Sequence, residues 1–250
     1  MNNYPLPSTA VILAGGQGTR LKSIIKNIPK PMAKIRNRPF LEYLLNYWIS
    51  QGIKQFILSV GYLADDIINY FGDKYKNAEI RYVVEERPLG TGGGLILCKK
   101  ILPKDKPIIV LNGDTYFPIN LQKLAWQACK FKADWALALF RNNNQERYLV
   151  TKIDCNHKIY IGNDIPNKNQ INLRRESFAN GGIYWLKPDI LSIFDFKKEF
   201  ITLEKDILGY LKHKNFNLIG IDFKEPFIDI GVPKDYLKAQ SFISEINQNE

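Results

Sequence analysis

Two textures of apolar residues alternate along this chain. Short unbroken apolar runs read as buried strands, and between them apolar residues recur every third or fourth position, the spacing of one helical face. Thr9–Gly15 (TAVILAG) opens the series as a strand. Leu41, Leu44, Leu45, Trp48 and Ile49 then stand at i, i+3, i+4, i+7 and i+8 and predict a helix, with Pro39 near its start and Gly52 just past its end. The alternation continues through a strand at Gln55–Tyr62, a helix at Leu63–Gly72, a strand at Glu79–Glu86 and a helix at Gly93–Ile101 that follows a glycine turn. It closes with a strand at Pro107–Asp114, a helix at Leu121–Phe131 and a strand at Asp134–Phe140. Strands separated by helices predict a parallel sheet covered on both faces. After Arg141 the rhythm changes. Arg147–Asp154, Lys158–Gly162 and Ala179–Leu186 read as strands joined by turns, which predicts antiparallel additions, and the Asn-rich stretch Gly162–Asn172 reads as a loop. Helices at Thr202–His213 and Lys234–Ile246 flank a strand at Phe216–Phe223. There is no repeat, low-complexity stretch or linker. The pattern therefore implies one three-layer α/β domain over residues 1–250, with 1–9 as a short extension and 142–186 as a substrate-facing region.

Composition narrows the class. The chain has 250 residues, 45% hydrophobic and 24% charged, enough apolar material for one sizeable core and too much for wholesale disorder. No apolar run approaches the roughly 20 residues that span a bilayer, and the N-terminal MNNYPLPST lacks a basic segment followed by an apolar core, so no secretory signal is expected. The three cysteines, Cys98, Cys129 and Cys155, form no CxxC pair, and the two histidines are His157 and His213. That excludes the usual zinc and disulfide frameworks and points to a cytoplasmic, reducing setting. The formal charge of +10 comes from scattered lysines. Scatter favours a solvated surface over a nucleic-acid footprint, with some of the charge free to face an anionic small molecule.

The chemistry concentrates where the first strand ends, in VILAGGQGTRLKSIIKNIPKPM, Val11–Met32. Glycines at the carboxyl end of a parallel strand let backbone N–H groups approach an anion closely. Two known phosphate loops nearly fit. Gly16–Ser23 has Leu21 where a Walker A loop needs its second glycine, and Leu21 also replaces the third glycine of GxGxxG. Arg20 carries a permanent charge on a planar fork suited to phosphate oxygens. Lys30 stands between Pro29 and Pro31, and prolines restrict the backbone so that the lysine is placed in advance. Two fixed cations and a glycine turn make a site of triphosphate size.

LAGGxGTRL followed by PKP resembles the signature of the sugar-1-phosphate nucleotidyltransferases, and the resemblance runs from Ala10 to about Tyr236. It implies a Rossmann-like nucleotidyltransferase fold around a mixed, mainly parallel sheet, with 142–186 as the sugar-binding region. It implies that Arg20 and Lys30 are catalytic, that Leu13, Ala14, Gly15, Gly16, Gly18 and Thr19 bind the nucleotide, and that backbone N–H groups from Gly15 to Thr19 cradle its phosphates. Pro88, Leu89, Gly90 and Thr91, with Gly92, would line the base and ribose, and Asn112 and Gly113 would also face the nucleotide. Asp114 and Asp229 would hold Mg²⁺, which takes one or two carboxylates plus substrate phosphates. Tyr148, Asn180 and Gly181 would face the sugar. Two departures stand out: Leu149 follows Tyr148 where the family often has glycine, and the family's Glu-Lys pair before the NGG strand is missing, with Lys168, Arg174 and Arg175 as substitutes to consider. RPFLEY, EERPLGTGG and FIDIGVPKDY look most like guanylyltransferases acting on D-glycero-D-manno-heptose or mannose 1-phosphate in surface polysaccharide synthesis. The partners expected are thus an NTP, GTP first, and a sugar 1-phosphate, without nucleic acid or a membrane span. The oligomeric state is left open, a homodimer included. Uridylyl-, cytidylyl- and thymidylyltransferases share these motifs, and a non-catalytic nucleotide-sugar-binding protein is the alternative from another class.

Overall fold

A computed structural model describes residues 4–21, 24–25, 27–142, 147–166, 171–195 and 198–247. Its centre is a 10-stranded sheet. Strands β1 (Thr9–Ala14), β2 (Gln55–Val60), β3 (Ala78–Val84) and β4 (Ile108–Asn112) pair in parallel in the order β3-β2-β1-β4. Beyond β4 the order continues with β8 (Phe178–Leu186), β5 (Trp135–Arg141) and β9 (Leu218–Phe223). Strand β8 runs antiparallel between β4 and β5, while β9 lies parallel to β5. The hairpin of β6 (Thr151–Ile153) and β7 (Ile159–Ile161) joins the start of β8 through Thr151 opposite Phe178.

The unbroken apolar runs are explained by cover on both faces. In β1 the side chains of Ala10, Ile12 and Ala14 enter one core and Val11 the other, because successive Cβ atoms on a strand point to opposite sides. The first core is closed by α1 (Phe40–Ser50), α2 (Ala64–Phe71), α4 (Leu121–Lys130) and α6 (Pro233–Asn247). The second lies under α3 (Gly90–Cys98) and α5 (Leu208–His213). The result is the expected three-layer α/β fold with a mixed, mainly parallel sheet. Helix α1 buries Leu41, Leu44, Leu45 and Trp48, the stripe its spacing predicts.

Several elements differ from their sequence expectation. The glycines of PLGTGGG do not form a turn before a helix; Gly90 to Gly94 are the first turns of α3 itself. Of Arg147–Asp154 only Thr151–Ile153 is strand. Thr202–His213 begins as a wide π-helical turn, Leu203–Ile207, before α5. Tyr4, placed in the extension, packs on the core. Ile228–Asp229 forms a two-residue antiparallel pairing with Thr115–Tyr116, which sets Asp229 opposite Thr115. Residues of the two acidic motifs are thereby joined across more than a hundred positions of chain.

Candidate active site

Four parallel strands end on one edge of the sheet, where ligands of open α/β sheets collect. The register aligns Leu13 with Ser59 and Asn112, and Ser59 with Val83. The residues just past these rows are Gly15, Gly61, Glu85 and Asp114. They open into a cleft of about 650 Å³. Of the expected residues, Leu13, Ala14, Gly15, Gly16, Gly18, Thr19, Arg20 and Lys30 line it from the first motif. Pro88, Gly90 and Thr91 line it from the second, and Asn112, Gly113 and Asp114 from the third.

The first loop is built to meet an anion. Among the described residues, none accepts a hydrogen bond from the backbone N–H of Gly16, Gln17 or Gly18. Gly18 has φ +58°, and a Cβ there would stand 3.1 Å from Cβ of Lys30. The lysine stem therefore lies against the loop. Pro29 precedes the single tight turn Lys30–Met32, and Pro31 is inside it, so the backbone on each side of Lys30 is restricted as its proline frame suggested. The Lys30 side chain is 10% exposed, and its Nζ pairs with Asp114 Oδ2. The N-terminus of α3 is already occupied: the Ile201 carbonyl accepts from Gly92 N (2.9 Å) and Gly93 N (3.2 Å). From α3 the cleft takes Gly90 and Thr91.

Asp229 does not line the cleft but borders it. Its Oδ1 accepts from Gly231 N at 2.6 Å, and Gly231 is part of the lining. A Cβ on Gly231 would stand 2.6 Å from Asp229 Oδ1 and 3.0 Å from Lys30 Nζ, so Asp114, Asp229 and the Lys30 ammonium converge on one spot. Arg147 donates to Asp229 Oδ2 (3.2 Å) and also pairs with Asp235. Among the described residues no group of three or more His, Cys, Asp or Glu side chains gathers for a metal. The donor set nevertheless suits a hard divalent ion that takes two carboxylates and phosphate oxygens, and the Lys30 ammonium already pairs with one of those carboxylates, Asp114.

The remaining expected residues lie away from the lining. Leu89 packs beneath Gly93, donates its N–H to Glu85 Oε2 (3.2 Å) and accepts from Ile201 N (2.8 Å). Tyr148 packs edge-on against Phe140 and Phe227, under the Arg147 guanidinium. Burial, with Asp229 second, pushes its hydroxyl pKa up. Asn180 donates to the Tyr184 hydroxyl (2.6 Å) and accepts from Gly182 N (3.0 Å), and Tyr184 donates to Glu204 (3.3 Å). Burial and then Glu204 hold Tyr184 protonated well above its ordinary range. Gly181 is a packing residue here: the Phe117 ring stands 2.5 Å from where its Cβ would be. Of the substitutes for the missing lysine, Arg174 is committed to Asp222 (2.9 Å) and His157 (2.9 Å), and Lys168 lies outside the described residues.

Sequence reasoning passed over Gln17, Pro31, Glu85, Arg147, Phe200, Thr202 and Gly231. Glu85 is the most informative. Its carboxylate fills a hollow left by Gly15 and Gly94, whose missing Cβ atoms would stand 2.2 and 2.8 Å from Oε1, and its Cβ lies 3.4 Å from the Cβ position of Gly61. Ser59 Oγ donates to it at 2.9 Å. The signal was present in EERPLGTGGG, where a glycine run sits inside an otherwise apolar helix. Burial, reinforced by Glu85, pushes the Cys98 thiol beneath to about 12, so it is inert.

Residues 9–246 match the Nucleotidyl transferase family, and the chain belongs to it. Within that family it is 41% identical to a D-glycero-α-D-manno-heptose 1-phosphate guanylyltransferase of Campylobacter jejuni, over 91% of this chain and 96% of the relative. The guanylyltransferase of the same name from Aneurinibacillus thermoaerophilus is 38% identical, over 92% and 96%. Among solved structures, HddC from Yersinia pseudotuberculosis superposes with a TM-score of 0.78 at 33% identity, covering 94% of this chain and 99% of that one. The same protein has been solved in complex with GMP-PN.

Proposed function

We propose that this protein transfers a guanylyl group from GTP to D-glycero-α-D-manno-heptose 1-phosphate, releasing pyrophosphate and forming a GDP-heptose for surface polysaccharide. The observation that carries it is the meeting of the glycine loop, Arg20, Lys30 and Asp114 in one cleft, in a chain 38–41% identical to two such guanylyltransferases.

The chemistry follows from charge. A phosphate oxygen of the sugar 1-phosphate forms a bond to the α-phosphorus, and the bond to the β-phosphate bridging oxygen breaks in line with it. The nucleophile is ionised near neutral pH, the second pKa of a phosphate monoester being about 6, so no general base is needed. Positioning and relief of repulsion between anions supply the acceleration. The free N–H groups of Gly16 to Gly18 receive β and γ oxygens, and Arg20 takes up the charge that develops on pyrophosphate. Substrate phosphates compete with Asp114 for the Lys30 ammonium and draw it to the reacting end. Asp114 and Asp229 would hold a divalent ion such as Mg²⁺, which when bound neutralises charge between the two phosphates.

Glu85 supports guanine as the base. A carboxylate only accepts hydrogen bonds, and guanine is the common base whose pairing edge carries two adjacent donors, N1–H and N2–H. The deciding experiment is pyrophosphate release with GTP, CTP, UTP and dTTP, each with heptose and mannose 1-phosphates. GTP with the heptose is expected to turn over fastest, and Arg20→Ala and Asp114→Ala to be slow. Binding of nucleotide-sugar without any turnover would overturn the enzymatic reading, and preference for another NTP the guanylyl one.

A further inference from the structure

Phe200 is out of place for a large apolar side chain. It is 57% exposed, yet it lines the cleft rather than a distant surface. Its backbone setting is held by the next residues. Ile201 N donates to the Leu89 carbonyl (2.8 Å), the Ile201 carbonyl accepts from Gly92 and Gly93, and Leu203 N donates to Thr91 Oγ1 (3.0 Å). Residues 201–203 are in effect laced onto the start of α3. The lacing requires Gly90, whose φ is +77° and whose Cβ would stand 2.4 Å from the Ile201 carbonyl oxygen and 3.1 Å from Cζ of Phe200. A ring is thus laid over bare backbone at one end of the cleft.

Which end is fixed by the sheet. Arg20, Lys30 and Asp114, the phosphate-seeking groups, gather where β1 and β4 end. Pro88 and Gly90 belong to the segment after β3, on the far side of β2, and the Glu85 carboxylate reaches back from that segment to lie against Gly15 and Gly94. An exposed aromatic face over the bare backbone of Gly90, in a cleft that the Glu85 carboxylate also lines, has the composition of a seat for a purine: stacking from one side, hydrogen bonds at the edge.

We infer that Phe200 is the stacking platform for the nucleobase, a positioning residue whose contact is with the ring face and not with the phosphates. This rests on the GTP-dependent reading above. Stacking is tolerant of base identity, so Phe200 supplies affinity while Glu85 supplies choice.

The experiment compares wild type with Phe200→Ala, Phe200→Leu and Phe200→Trp, measuring binding of GTP and of inorganic tripolyphosphate, which has the charges without the base. Phe200→Ala is expected to weaken GTP about tenfold or more with tripolyphosphate affinity unchanged, KM for GTP rising while kcat holds. Phe200→Leu is expected to fall between, and Phe200→Trp to bind as wild type. In the tryptophan variant, with the signal of the four native tryptophans subtracted, GTP is expected to quench emission and tripolyphosphate to leave it unchanged. Equal GTP affinity in Phe200→Ala and wild type would overturn the inference, as would parallel loss of GTP and tripolyphosphate. Wild type that neither binds nor turns over GTP would instead overturn the function proposed above.

Discussion

Gly94 tests whether the glycine run in α3 exists for the cleft. It lies inside the helix, where alanine is ordinarily preferred to glycine by about 0.8–1 kcal/mol. A Cβ built there stands 2.6 Å from Ser59 Oγ and 2.8 Å from Glu85 Oε1. Those atoms bond to each other at 2.9 Å, and Ser59 is fully buried. The carboxylate is already packed on its other side against Gly15, its Oε1 2.2 Å from where a Cβ on that glycine would stand. Gly94→Ala must therefore break the Ser59–Glu85 bond or lift the helix. A hydrogen bond to a charged group contributes about 1.5–3 kcal/mol, and a buried hydroxyl left unpaired adds to the loss. Sterics outweigh propensity, and the expected net change is a destabilisation of about 1–2 kcal/mol. At about 2–4 °C per kcal/mol for a chain of this size, Tm falls by several degrees. Gly209→Ala is the control: Gly209 is exposed in α5 and nothing stands within 4 Å of its Cβ position, so propensity alone acts and Tm rises by a degree or more. Calorimetric melts of the three proteins in one buffer give the answer. If Gly94→Ala melts at or above wild type, the Glu85 hollow does not constrain the helix.

Further outcomes follow from the same contacts. Lys30→Met keeps the stem on Gly18 and removes the charge, and kcat should fall about 10²–10³-fold, read as steady-state pyrophosphate release; an unchanged kcat contradicts a role at the reacting end. Glu85→Gln should raise KM for GTP and erase most of the wild-type preference for GTP over ITP, which lacks the N2 donor; retained discrimination would remove Glu85 from base selection. Asp206 is drawn down to about 2 by Lys198 first, then by the N–H and hydroxyl of Thr202. An unfolded aspartate titrates near 3.9, so its stabilising contribution is present above about pH 4 and lost as pH falls toward 2. Urea midpoints of Asp206→Asn should lie below wild type at pH 5 and converge with it near pH 2, whereas a constant gap across that range would assign the effect to something other than titration.

What was legible in the residues and what was not divide along a physical line. Strand β1 could be read because cover on both faces leaves an unbroken apolar run. Helix α1 could be read because one buried stripe at 3.6 spacing is local information. Lys30 could be read because its proline frame is adjacent to it in sequence. The GTGGG segment was misread as a turn because glycine is a poor helix former on its own account. Its helix is sustained by what fills the Cβ positions: the Ile201 side chain and Thr202 backbone at Gly92, Leu89 at Gly93, and Ser59 with Glu85 at Gly94. None of these neighbours can be inferred from the spacing of the glycines.

The same limit explains why Arg147 escaped notice. Its pairing with Asp229 depends on Ile228–Asp229 lying against Thr115–Tyr116, a contact between segments remote in sequence. With Asp114 held by Lys30 and Asp229 by Arg147, both aspartates at this spot begin paired to a cation from a different loop. The favourable charge state at this spot is thus close to neutral before any substrate arrives. Under the proposed function, incoming phosphate dianions would reverse that balance: they repel both carboxylates and attract both cations, so nucleotide and sugar phosphate would loosen the same two pairs. A carboxylate released in this way, beside phosphate oxygens, is the environment in which a divalent ion is held most strongly. Binding order in the complete reaction should then be cooperative, each anion easing the separation the other requires.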